Sequence, residues 1–256
     1  MADLWRYRDL LWTLAERDLR LRYRQTVLGA AWVVLQPLLG ALIFTFVFGV
    51  IAKLPSDGNP YLIFTFAALA GWNLFAGILT RSASSLVQNS ALIAKVWFPR
   101  AVIPCATLPG ALVDLVVTFA VLAALFVWYG RMPGLPIVTL PFWIALLVTL
   151  ALGAGLGAAA LMVSYRDVQH VLPVMVQLLM YASPVAYAAS SVPGVIGTLY
   201  YLNPLAATID GLRWSLLGTP PPPAIAVGYA AFVAVLTMIL GMWLFRRMER
   251  RFADVI

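Results

Sequence analysis

Between Gly29 and Lys53 the chain carries no charged residue, and just before that run stand Arg17, Arg20, Arg22 and Arg24. A stretch this long, built of Ala, Val, Leu, Ile and Phe, crosses a bilayer, for which about 20 apolar residues suffice. Arginine at the centre of such a helix costs about 3 kcal/mol, so it stays behind at the surface. The switch from RDLRLRYR to VLGAAWVVLQPL therefore marks a membrane boundary, with the basic side on the cytoplasmic face. The downstream chain inherits that orientation.

Composition agrees with a polytopic membrane protein: 63% of residues are hydrophobic, 11% are charged and the mean hydropathy is +0.93. The fold expected is all-α and integral to the membrane, with six spans over residues 30–52, 61–80, 101–129, 139–163, 169–188 and 224–245. On that topology only Lys53, Arg131 and Arg213 of the 17 Lys and Arg lie outside, so both termini are expected in the cytoplasm. The net charge of +7 is thereby explained by membrane sidedness and not by nucleic acid. The first 28 residues show neither an unbroken apolar core nor a small-residue cleavage site, which speaks against a cleaved signal peptide. Residues 1–256 read as a single membrane domain.

Three segments are more than linkers. Residues 1–28 contain an amphipathic helix with Arg6, Asp9, Thr13, Glu16, Arg17, Arg20 and Arg24 on one arc and Leu4, Trp5, Leu11, Trp12, Ala15 and Leu19 on the other. That pattern predicts a helix lying along the interface against membrane lipids. The cytoplasmic loop 81–100, RSASSLVQNSALIAKVWFPR, predicts a short helix across the cytoplasmic face, capped at Asn89 and Ser90 and stopped at Pro99. The outer segment 189–223 is too apolar for a solvated loop and too broken to cross twice. It predicts half-helices that dip back into the outer leaflet, which a bilayer tolerates only where protein or a water-filled cavity satisfies the backbone.

Enzyme signatures are missing. Lys53 and Lys95 are the only lysines and neither follows a glycine-rich phosphate loop, so ATP must be used by a partner if at all. One cysteine, Cys105, and one histidine, His170, provide no disulfide framework or metal cluster. Asp114 is the only acid deep in an apolar run, expected to face inward and to pair with a neighbouring helix. Gln36 and Gln177 are suited to hydrogen bonds between helices or to lining a path. The Gly153, Gly155, Gly157 series predicts close helix packing. Trp72, Phe75, Tyr181, Tyr187, Tyr200, Tyr201 and Trp214 fit membrane aromatic belts, and fit equally a conduit in which aromatic faces stack on sugar rings.

The motifs RYRQTVLGAAWVVLQPL, NSALIAKVWFPR, YRDVQHVLPVMVQLLMYASPVAY and YYLNPLAATIDGLRWSLLG, in that order, resemble the permease subunit of bacterial ATP-binding-cassette exporters of O-antigen, capsule and teichoic acid. The resemblance implies no enzyme activity in this chain. It implies a homodimer in the bacterial inner membrane with two copies of a separate ATPase, where ATP and magnesium are bound, and lipid-linked polysaccharide as cargo. Carried onto this sequence, it places ATPase coupling at Ser84, Asn89, Ser90, Leu92, Ile93, Lys95, Trp97 and Phe98, and the interface helix at Arg17, Arg20 and Arg24. Conduit lining falls to Trp32, Gln36, Trp72, Phe75, Tyr181 and Tyr187, and an outer gate to Tyr200, Tyr201, Asn203, Pro204, Arg213 and Trp214. Arg24 and Arg100 are the expected contacts for a lipid pyrophosphate, since a guanidinium fork suits phosphate. A small-lipid or drug exporter, a non-transport component of polymer assembly and a proton-coupled transporter are the rival readings.

Overall fold

The computed structural model describes residues 7–24, 31–95, 98–188, 197, 199–249 and 252, with backbone alone for 21–24 and 94. Among these residues there are helices, turns and no strand. Helix α1 spans Arg8–Arg24, and α2 spans Ala31–Phe44 and runs on into a π-helical stretch, Thr45–Ile51. Then come α3 (Tyr61–Gln88), α4 (Ser90–Lys95), α5 (Val102–Cys105) and α6 (Thr107–Trp128). A 3-10 turn, Leu135–Thr139, leads into α7 (Leu140–Ser164), followed by α8 (Val168–Tyr181), α9 (Pro204–Leu217) and α10 (Ala224–Glu249).

Five stretches are long and apolar enough to cross a membrane: Ala31–Ile51, Tyr61–Gln88, Val102–Trp128, Leu135–Ser164 and Ala224–Glu249. The expected span 169–188 differs. Its helix, α8, has 14 residues and gives way to turns at Ala182. At 1.5 Å per residue it reaches ~21 Å, short of the ~30 Å hydrocarbon core. Pro184 explains the stop, because the residue before a proline is pushed out of the helical region.

Helix α3 is the axis of the bundle. It packs against α2, α6, α7, α8 and α9, and 78% of its most apolar window is buried, against 6% for α2. Apolar side chains form two main clusters. The larger lies in the spans and includes Phe66, Trp72, Phe75, Leu147 and Ile209. The second gathers Leu14 of α1, Leu86 of α3, Ile93 of α4, Phe98, Val102 of α5, and Phe245 and Phe252 beyond or within α10. The N-terminal helix and the end of the last span therefore meet at one end of the bundle. At the other end Arg131 Nη2 donates to the Gly58 carbonyl at 3.3 Å, joining the loops after α2 and α6.

Small residues set the tightest crossing. A Cβ on Gly241 of α10 would lie 1.9 Å from the Gly153 carbonyl oxygen of α7, and one on Gly153 would lie 2.6 Å from the Met238 Cα. Gly155 faces Ser82 of α3 in the same manner. The glycine series thus performs the close helix packing expected of it, in a setting where lipid competes for apolar surface as well as protein does.

Candidate functional site

The coupling loop is shorter than expected because α3 does not stop near residue 80 but continues to Gln88. Ser84 therefore sits on α3, half-buried, with its hydroxyl bonded to the Thr80 carbonyl at 3.1 Å. Asn89 closes α3 instead of capping the next helix with its side chain: its N–H reaches Ser85 and Leu86 carbonyls, and its Nδ2 donates to the Ser85 carbonyl at 2.9 Å. Its own carbonyl then accepts from Leu92 and Ile93, so one residue ends α3 and starts α4. Ser90 and Leu92 are half-buried and Lys95 is exposed.

Ile93 and Phe98 do not present an outward coupling surface. Both are buried in the second apolar cluster, because the short helix must bury one face to lie flat on the bundle. Its exposed residues among those described are Ala91 and Lys95, and Val87 and Gln88 at the end of α3 are exposed as well. Trp97 lies outside the described residues.

On α1, Arg20 pairs with Glu16 one turn away, and Arg17 Nη2 donates both to Asp18 Oδ1 at 3.1 Å and to Asn89 Oδ1. Arg24 ends the helix, and its side chain lies outside the description. Leu14 and Ala15 are the buried residues among the described side chains of this helix. Trp12, on the apolar arc expected to face membrane lipids, is largely exposed. Between α1, α3 and the start of α6 lies an open cleft of about 480 Å³ bordered by Arg17, Asp18, Arg81, Ser85, Asn89 and Thr107. Next to it Arg81 Nη1 donates to Asp114 Oδ2 at 2.9 Å, giving the intramembrane acid its cation on the neighbouring helix. A sequence signal for this pair existed: Arg81 is the cation nearest the inner end of span two, and Asp114 is the only acid in span three.

The expected conduit residues divide into two sets. Trp32 and Gln36 lie on the open side of α2, where Trp32 keeps 54% of its surface, and Tyr181 is exposed at the end of α8. Gln177 is exposed on the same helix. Trp72 and Phe75 are different: they are 4% and 3% exposed, their rings 5.8 Å apart in the main core. They belong to the central helix, whose surroundings are filled by the same chain. Tyr187 is half-buried in the turn after α8, where its carbonyl is tied to Arg213.

The outer segment is held by two polar residues. Asn203 caps α9 by accepting from Leu205 N–H at 3.0 Å, with Pro204 at the first helical position. Its Nδ2 donates to the Ala182 carbonyl at 2.9 Å and to Ser183 Oγ at 3.0 Å, so the Ser183-Pro184 and Asn203-Pro204 turns are bonded to each other. Arg213, 1% exposed, donates to three carbonyls: Phe64 at 3.3 Å, Tyr187 at 3.1 Å and Val185 at 2.7 Å. Asp210 Oδ1 stands 3.6 Å from its guanidinium, and the Phe64 ring centroid 3.8 Å below it. Tyr201 donates to Asp210 Oδ2 at 3.1 Å, and Tyr61 donates to the Ala186 carbonyl. Tyr200 lies between Tyr187 and Tyr201 with ring centroids 5.8 and 6.2 Å away, and Trp214 meets Trp143 edge-on at 6.5 Å.

Five donors on a rigid plane explain why Arg and not Lys stands at position 213. The turns after α8 leave carbonyls without helical partners, and these must be satisfied within protein if the segment lies at membrane depth. Arg213 satisfies two of them and fastens both to α3. The cluster is thus a structural clasp, and the described residues hold no group of His, Cys, Asp and Glu fit to bind a metal ion.

The sequence matches the family described as ABC-2 type transporter over residues 9–217. It is 29% identical over 252 residues to the O-antigen export system permease protein RfbA of Klebsiella pneumoniae, covering 97% of this chain and 95% of that one. It is 27% identical over 258 residues to the RfbA permease of Myxococcus xanthus, covering 100% and 98%. To the polysialic acid transport protein KpsM of Escherichia coli it is 25% identical over 240 residues, covering 91% of each.

Proposed function

Since the chain belongs to the ABC-2 type transporter family, we propose that it is the permease subunit of an ATP-driven exporter that carries lipid-linked polysaccharide across a bacterial inner membrane. End-to-end similarity to O-antigen and polysialic acid export proteins supports the polymer class. Two copies form the conduit and two copies of a separate ATPase, holding ATP and magnesium, dock on the cytoplasmic face.

The observation that carries the dimeric conduit is the state of α2 and α8. In an apolar helix an exposed glutamine has no partner in lipid, and polar groups at that depth turn toward protein or a water-filled space. Gln36 on α2 and Gln177 on α8 are both left exposed by the single chain, beside Trp32 and Tyr181. A second copy covers part of this face, and the remainder lines the passage. Trp32 and Tyr181 then offer aromatic faces to sugar rings.

A sixth crossing within residues 165–223 is supported by the ends of the bundle: α7 and α10 both end at the second apolar cluster, so α8 starts at that end and α10 starts at the other. Helix α8 covers the inner part, and the turns bonded to Asn203 and Arg213 complete it, with α9 as a re-entrant outer helix. Both termini lie on the cytoplasmic side by the distribution of Lys and Arg.

Export is tested in cells from which this gene is deleted, by surface display of the polymer after complementation. Loss on deletion, restoration by the chain, and copurification of an ATPase are expected. Normal display without the chain, or export with no associated ATPase, refutes the reading. A cysteine at Gln36, in a Cys105→Ala background, is expected to cross-link two copies in the membrane.

A further inference from the structure

Arg100 and Glu249, 149 positions apart, are joined by two hydrogen bonds. The Arg100 backbone N–H donates to Glu249 Oε1 at 3.0 Å, and Arg100 Nη1 donates to the Glu249 backbone carbonyl. Arg100 lies just ahead of α5, one residue before the Ala101 that opens that helix, and its carbonyl accepts from Ile103 N–H at 3.1 Å. Glu249 is the last residue of α10, where carbonyls lack donors. A guanidinium at the C-terminal end of α10 also matches that helix's dipole. Phe252 reinforces the joint: it is fully buried, packs on Phe245 with ring centroids 5.5 Å apart, and lies 5.8 Å from the Arg100 guanidinium.

Ile93 of α4 and Phe98 share an apolar cluster with Phe245 and Phe252, and Arg100, two residues after Phe98, is bonded to Glu249. A push on α4 therefore reaches the end of α10 through this apolar cluster, beside which the Arg100 and Glu249 bonds hold the two segments together. We propose that Arg100 and Glu249 are positioning residues that make α4 and the inner end of α10 move as one body, so that nucleotide-driven displacement of the coupling segment is delivered to the last span. This rests on the exporter reading above. From α10 the displacement passes to α7 at the Gly153 and Gly241 crossing.

The test uses the full complex with its ATPase in lipid vesicles, in a Cys105→Ala background, with spin-label pairs. One pair joins Ala91 on α4 to Arg246 on α10, and a reference pair joins Ala91 to Met132 at the opposite end; all three positions are exposed. Between ADP and ATP with magnesium, the reference distance is expected to change while the Ala91 to Arg246 distance stays constant. In Glu249→Ala the second distance is expected to change as well, and polymer exported per ATP hydrolysed to fall at least threefold. Glu249→Gln, which keeps an acceptor for the Arg100 N–H, is expected to restore most of that ratio. A wild-type complex in which both distances change overturns the positioning role and leaves the exporter reading standing. One in which neither changes also overturns the positioning role, because α4 is then not displaced within the chain and has nothing to deliver to α10, and the exporter reading still stands. Equal coupling in Glu249→Ala and wild type, with intact assembly, also overturns the proposal.

Discussion

Gly153 and Gly241 touch backbone to backbone: a methyl group on Gly241 would stand 1.9 Å from the Gly153 carbonyl oxygen. No rotamer relieves that contact, since both sides are main chain. Gly241→Ala is expected to separate α7 from α10 and to cost at least the ~1–3 kcal/mol of ordinary overpacking. Gly157→Ala is the control, because its Cβ would lie 3.6 Å from the Gly241 Cα, an ordinary contact. Thermal unfolding in detergent should show a clear fall in midpoint for the first and a small change for the second.

Arg213→Met removes the donor for three carbonyls and leaves Asp210 buried without its cation. The expected loss is about 3–5 kcal/mol, the range for breaking one partner out of a buried charged network. Arg213→Lys keeps the charge but lacks the fork, and should recover only part of the stability. Asn203→Ala removes a cap worth ~1 kcal/mol together with the bonds to Ala182 and Ser183. Limited proteolysis of the segment after α8 distinguishes these effects from global unfolding.

Asp114→Asn keeps an acceptor toward Arg81 and loses the charge. Stability is expected to fall by about 1–3 kcal/mol, the effect of weakening a charged hydrogen bond. Polymer export per assembled complex is expected to remain within twofold, with the same insensitivity to a protonophore when ATP is held constant. Abolished export in a normally assembled Asp114→Asn complex would instead identify Asp114 as a proton-carrying group.

The two faces of α4 should separate two phenotypes. Ala91→Asp and Lys95→Glu alter exposed positions and are expected to reduce ATPase copurification without lowering the unfolding midpoint of the permease. Ile93→Ala and Phe98→Ala empty buried positions and should destabilise the chain, by about 2–5 kcal/mol for Ile93 and ~3–5 kcal/mol for Phe98.

Much of this architecture was legible in the sequence because hydropathy and punctuation act locally. The charge switch after Arg24 and the glycine series each correspond to an observed feature. Side-chain facing was not legible for Trp72, Phe75, Ile93 and Phe98. Lipid and protein interior are both apolar, so an aromatic residue in a span reads the same whether it faces a neighbour helix, a lipid chain or a passage. Only the central position of α3 resolves Trp72 and Phe75. The end of α3 was misplaced for a related reason: Arg81 marked the expected limit of hydrocarbon, but its bond to Asp114 lets the helix continue two more turns. The pairing of Arg100 with Glu249 spans most of the chain and leaves no local pattern.

The Arg213 clasp also sets an order of construction. The chain is made from its N-terminus, so the carbonyls of Val185 and Tyr187 exist well before the side chain that serves them. Until α9 has been synthesised and seated against α3, those two carbonyls lack the Arg213 guanidinium that serves them. Gly153 similarly waits for Gly241. The last quarter of the chain must therefore lock into a bundle already standing, and a ribosome halted short of Arg213 leaves behind a chain whose early spans are complete but whose outer end is unsealed.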